Sequence, residues 1–146
     1  MKRYKFIVVA GAFVLAAAAG LMAQGDAAQE TKNQQLGMNW YREVIAYGHV
    51  ELASKYMADD YVEHNANISG GRAEFVAYYG RTPAKPIQAA LPVKPDRVFA
   101  KGDYVVIVWE LGDTDAKGKA YKYNTYDVVR VANGKIAEHW DSAGKD

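Results

Sequence analysis

Apolar positions recur at helical intervals along the first half of the chain and alternate along the second half. From Asn33 onward, Leu36, Trp40, Val44 and Tyr47 lie four, four and three residues apart, with Tyr41 and Ile45 on the flank, so the spacing predicts an amphipathic helix. Gly48 ends it as a left-handed cap. Val50, Ala53 and Tyr56–Met57 form the stripe of a second, short helix, and Tyr61-Val62-Glu63-His64-Asn65 alternates and leaves it. Residues Asn67 to Gly71 are a turn cluster. A third helix is expected over Arg72–Tyr79, burying Phe75, Val76 and Tyr79 and closing at Gly80.

All four prolines, Pro83, Pro86, Pro92 and Pro95, fall in the next stretch, where a helix cannot continue. Beyond them the pattern predicts an antiparallel meander. Strands are expected over Pro92–Ala100, Tyr104–Leu111, Lys119–Ala132 and Lys135–Asp141. Asn133-Gly134 is a two-residue hairpin turn of the kind that favours positive φ. Helices followed by strands indicate an α+β domain with three N-terminal helices packed on one face of a sheet.

The N-terminus has a different character. Lys2, Arg3 and Lys5 precede the uncharged run Phe6–Ala19 and the small-residue stretch Gly20–Ala23, the pattern of a signal peptide over residues 1–23. Residues 24–32 read as a flexible leader, and 33–146 as a single domain. This predicts an exported protein, periplasmic or secreted, with no membrane association after cleavage. The 18 basic and 17 acidic residues give a net charge of +1; without the three basic residues of the leader it becomes −2. Neither value calls for a nucleic-acid partner. The absence of cysteine removes thiol nucleophiles, disulfides and thiolate metal sites. Histidines stand only at 49, 64 and 139, with no pair at a helical ligand spacing, so no metal is expected.

The hairpin allows a finer reading. If pairing runs outward from Asn133-Gly134 without a slip, Val131 opposes Ile136, Val129 opposes Glu138 and Asp127 opposes Trp140. One face then carries Tyr121, Tyr123, Asp127, Val129, Val131, Ile136, Glu138 and Trp140, and this more apolar face should meet the helices. The other carries Arg130, Ala137, His139 and Asp141. Asp127 is thereby a carboxylate on a core-like surface, either a general acid/base tuned by burial or an acceptor of structural hydrogen bonds. Glu138 shares its face, and Tyr123 and Trp140 would contact a ligand there. His64-Asn65, between a helix end and a turn, supplies a titratable base and an amide able to hold an enolate oxygen, or else caps the turn. His139 faces outward in this register, so a role for it requires a bulge.

Tyr61-Val62-Glu63-His64-Asn65, Gly71-Arg72 with Phe75-Val76, Tyr126–Val131, and above all Gly134-Lys135-Ile136-Ala137-Glu138-His139-Trp140-Asp141 resemble the SnoaL-like polyketide cyclase family of the nuclear transport factor 2-like superfamily. The resemblance spans about Asn33 to Asp141. It implies a cone-shaped α+β barrel with a pocket between helices and sheet. It also implies cofactor-independent acid/base chemistry next to a carbonyl: aldol cyclisation, isomerisation or dehydration. Asp127 matches the family's acid/base aspartate, and His64 and Asn65 match the pocket-mouth pair. The competing implication is a non-catalytic module that binds a small apolar or carbonyl-containing ligand, or that serves for dimerisation. A homodimer paired through the sheet is expected, because the hairpin's second face mixes Tyr126, Val128 and Ala137 with polar residues.

Overall fold

The computed structural model describes residues 26–145; the signal-peptide expectation for residues 1–23 lies outside them. Three helices pack on a five-stranded, open, mixed sheet, the α+β architecture expected from the order of the elements. Helix α1 runs over 26–40 and passes into a π-helical turn at Tyr41–Ala46. It therefore takes in most of the 24–32 segment, where Glu30 accepts hydrogen bonds from Lys101 Nζ and the Gly102 amide. A 3-10 turn at Val50–Leu52 leads into α2, Ala53–Tyr56, and α3 spans Arg72–Tyr79 as its apolar spacing predicts.

The strands are β1 Met57–Glu63, β2 Arg97–Lys101, β3 Tyr104–Thr114, β4 Ala120–Ala132 and β5 Lys135–Asp141, in the spatial order β1-β5-β4-β3-β2. The meander from β2 to β5 is antiparallel. The departure from an all-antiparallel sheet is β1, which joins the edge parallel to β5. The run that leaves the second helix is thus a strand whose burial alternates, with Tyr61 and Glu63 buried and Val62 exposed.

Helix α1 lies across β3 and β4 at a glycine. A Cβ on buried Gly37 would stand 3.4 Å from both Val105 Cγ1 and Val129 Cγ2, so the missing side chain lets helix and sheet approach. Trp40, Val44, Phe75, Ile107, Val129 and Ile136 fill the space around that crossing, all essentially inaccessible to solvent. The π turn begins at Tyr41. The wider i to i+5 bonding, seen in Tyr47 N–H to Arg42 O at 3.1 Å, accompanies a helix that buries Trp40 and Val44 and also sets Tyr41 against the sheet, its ring 4.5 Å from that of Trp109.

Candidate active site

The decisive local feature is one extra residue in β5. Pairing starts from the turn as expected, Ala132 with Lys135 and Val131 with Ile136. It then slips, so that Arg130 opposes Glu138, Val129 opposes His139, Val128 opposes Trp140 and Asp127 opposes Asp141. Ala137 is the unmatched residue, and both it and Ile136 are buried. Since side chains alternate along a strand, the slip exchanges the two faces of β5 beyond it. The faces read from the unslipped register are corrected accordingly: His139 and Asp141 turn inward, while Glu138 and Trp140 turn outward.

His139 is fully buried between two carboxylates. Its Nδ1 lies 3.0 Å from Glu63 Oε1 and 3.2 Å from Oε2; its Nε2 lies 3.0 Å from Asp127 Oδ1. Burial pushes the imidazole pKa down, but the hydrogen bonds to Asp127 and Glu63 outweigh it and lift the value to about 9. Burial likewise pushes the Glu63 carboxyl up, and the hydrogen bonds from His139, Tyr61 and the Asn65 amide overcome it, leaving the group below its ordinary value. Tyr61 donates to Glu63 Oε2 at 2.5 Å. Trp109 Nε1 donates to Asp127 Oδ2 at 2.6 Å, and Trp40 and the His139 ring make a T-shaped contact. Asp141 accepts from Asn65 Nδ2 on Oδ2 and from the Ala143 amide on Oδ1.

Asp127 and Asp141 both line a cavity of about 300 Å³, walled by Tyr41, Trp109, Leu111 and Val93. Burial, together with the charges of Asp127 and Asp141, holds the Tyr41 phenol well above its ordinary pKa, so it is a neutral donor at the cavity wall. The cavity therefore offers an acceptor carboxylate and a phenolic hydroxyl within apolar surroundings.

The residues singled out in the sequence are divided between two faces. Asp127 and Asn65 lie on the inner side, Asn65 touching Asp141. His64 lies outside, its ring stacked on Trp140 at 4.5 Å and nearly parallel, with Nε2 3.1 Å from Glu138 Oε2. Arg130 Nε donates to the other oxygen of Glu138 at 2.6 Å. His64 and Arg130 together hold the Glu138 carboxyl below its usual range. Tyr123 sits on the exposed part of the β3–β4 hairpin beside Tyr121. Glu63, His139 and Asp141 were not among the candidates. For Glu63 the signal was present, because its alternation with buried Tyr61 puts it on the inner side.

A family model for the SnoaL-like domain matches residues 39–139. Among solved structures, the fold is similar to that of TsrD from Streptomyces laurentii, with a TM-score of 0.53 and 19% identity over 77% of this chain and 87% of that one. It is similar to a candidate polyketide cyclase from Acidithiobacillus ferrooxidans, with a TM-score of 0.53 and 24% identity over 75% and 86%. An LEH-like epoxide hydrolase from M. tuberculosis gives a TM-score of 0.53 and 17% identity over 77% and 83%. At these identities the likeness is one of fold. No curated protein matches the sequence.

Proposed function

The chain belongs to the SnoaL-like domain family, and we propose that within it the chain acts as a cofactor-independent acid/base catalyst on a small carbonyl compound, of the isomerase or cyclase type. The observation that carries this reading is the position of Asp127, at the wall of the cavity and held from behind by Trp109 and His139. A carboxylate fixed by two donors still has lone pairs to accept a proton from a carbon next to a carbonyl. The Tyr41 hydroxyl on the same cavity would donate to the enolate oxygen as charge develops there. The cavity's volume is at the small end of ligand pockets, which favours compact ketones or diketones over extended polycyclic substrates. His64 has no part in this scheme, since its side chain is on the outer face.

One observation favours the non-catalytic alternative: each oxygen of Asp127 already accepts a hydrogen bond, as in a purely structural role. The two readings separate by proton exchange. In deuterated buffer, a panel of small ketones and 1,3-diketones is followed by proton NMR with the protein and with Asp127→Asn. The catalytic reading predicts accelerated loss of the α-proton signal for at least one compound, and a fall of about 100-fold or more in the variant. Saturable binding without exchange across the panel would establish the binding module instead.

We further propose export through residues 1–23 and a homodimer joined through the outer sheet face, on which Phe99, Tyr104 and Tyr126 are exposed. N-terminal sequencing of the protein recovered outside the cytoplasm tests the first. Light scattering tests the second, a single-chain mass at high concentration counting against it.

A further inference from the structure

We propose that Asp127, His139 and Asp141 form a binding site for one first-row divalent cation of the Mn²⁺ to Zn²⁺ group at the inner end of the cavity. One potential ligand atom from each of the three lies within 4.8 Å of the others. The 3.0 Å between His139 Nε2 and Asp127 Oδ1, a hydrogen-bond distance, is also that of two ligands at right angles around an octahedral ion held at about 2.1 Å from each; a tetrahedral ion would need them to part to about 3.4 Å. One imidazole nitrogen with two carboxylate oxygens is a donor set suited to manganese, iron or zinc. No sequence spacing announces it, because its members are brought together by the slip at Ala137.

Two further observations point the same way. The first is the outer shell. Glu63 engages His139 Nδ1 and so aims Nε2 at Asp127 Oδ1; Trp109 Nε1 holds Asp127 Oδ2; Asn65 Nδ2 and the Ala143 amide hold the two oxygens of Asp141. Each would-be ligand is thus oriented by its own hydrogen-bond partner, the arrangement by which proteins hold metal ligands in place. The second is charge. Glu63, Asp127 and Asp141 surround a single imidazole, and among the described residues no lysine or arginine forms an ion pair with any of the three. Even a charged His139 leaves the cluster with excess negative charge in a largely apolar setting, which a divalent cation would cancel.

Binding would replace the proton held between Nε2 and Oδ1. Because Asp127 and Asp141 line the cavity, the remaining coordination positions would face a water or a ligand oxygen. The inference goes beyond the proton-transfer reading and does not rest on it.

The full chain is stripped with a chelator, dialysed and titrated near pH 7 with MnCl₂ and with ZnCl₂ by calorimetry; the Mn²⁺ sample is also followed by electron paramagnetic resonance. One ion per chain is expected, with Mg²⁺ binding far more weakly. Asp141→Asn should weaken binding by about tenfold or more, with circular dichroism and a cooperative melt in chelator showing that the variant is folded. Crystals soaked in MnCl₂ should show anomalous density between Asp127, His139 and Asp141. No stoichiometric binding, or density elsewhere, would overturn the proposal, as would unchanged affinity in a folded Asp141→Asn. Proton exchange by a protein that takes up no metal in the titrations would sink this inference alone; metal binding without exchange would sink only the catalytic one.

Discussion

Glu63→Gln is the sharpest perturbation of the buried network. The carboxylate accepts from four donors: His139 Nδ1, the Tyr61 hydroxyl, and the backbone amides of His64 and Asn65. A glutamine of the same shape has one acceptor oxygen with two lone pairs, and its amide nitrogen can only donate. In place of Oε1 the amide nitrogen would face three of the four donors. In place of Oε2 it would face Tyr61, whose hydroxyl can turn to accept, so the chief loss there is the buried charge paired with His139. A buried unpaired donor costs about 1–3 kcal/mol, and removal of one partner of a buried ion pair about 3–5 kcal/mol. We therefore expect a loss of roughly 3–5 kcal/mol, a large share of the 5–15 kcal/mol typical of a whole domain. For a domain of this size that corresponds to a fall in melting temperature on the order of 10–20 °C. Tyr61→Phe removes a single donor and should cost about 1 kcal/mol. Urea denaturation at neutral pH in chelator, read by circular dichroism, gives both differences, with the m-value unchanged. A Glu63→Gln loss below about 1 kcal/mol, or one no greater than that of Tyr61→Phe, would refute the network as described.

At the helix–sheet crossing, Gly37→Leu should cost at least about 1–3 kcal/mol by overpacking Val105 and Val129, measured by the same melts; an unchanged midpoint would refute the close approach. Glu43 accepts from Tyr56, Lys55 and Arg42, and these bonds, that of Tyr56 foremost, outweigh burial and hold its pKa near 2. The stability it contributes is complete above pH 4.5 and lost as pH falls from there toward 2. Glu43→Gln should therefore flatten the acid limb of the stability profile, and identical limbs would count against the assignment. Across β4 and β5, Arg130→Glu places like charges opposite each other and should cost about 1 kcal/mol. Adding Glu138→Arg should restore most of it, and a double variant no better than the single would argue against this register.

Much of the frame was legible because burial imposes periodicity. Arg72–Tyr79 and Lys135–Asp141 begin and end where their patterns do, and Asn133-Gly134 makes the turn its sequence specifies, both residues having positive φ. The parallel docking of β1 was not legible, since pairing between strands distant in sequence leaves no local mark. The inner face of β4 was read correctly at Asp127, Val129 and Val131. The inner face of β5 was not, because one unmatched alanine inverts everything beyond it. A usable signal existed in the charges. Without the slip Glu138 would face Val129 across the core and Arg130 would face Ala137; with it, Arg130 and Glu138 pair on the outer face. The same slip turns Glu138 and Trp140 outward and brings in His139 and Asp141; His64 follows inward Glu63 and meets Glu138 and Trp140 on the outer face.

The central claim is that the working chemistry lies on the inner face, at Asp127, and not at the outer His64–Trp140–Glu138 cluster. Comparing α-proton exchange rates in Asp127→Asn and His64→Gln, with the carbonyl compound that the parent protein turns over fastest, tests it directly. The account predicts a loss of about 100-fold or more for Asp127→Asn and parental activity for His64→Gln, both variants remaining folded. Activity retained in Asp127→Asn and lost in His64→Gln would contradict it.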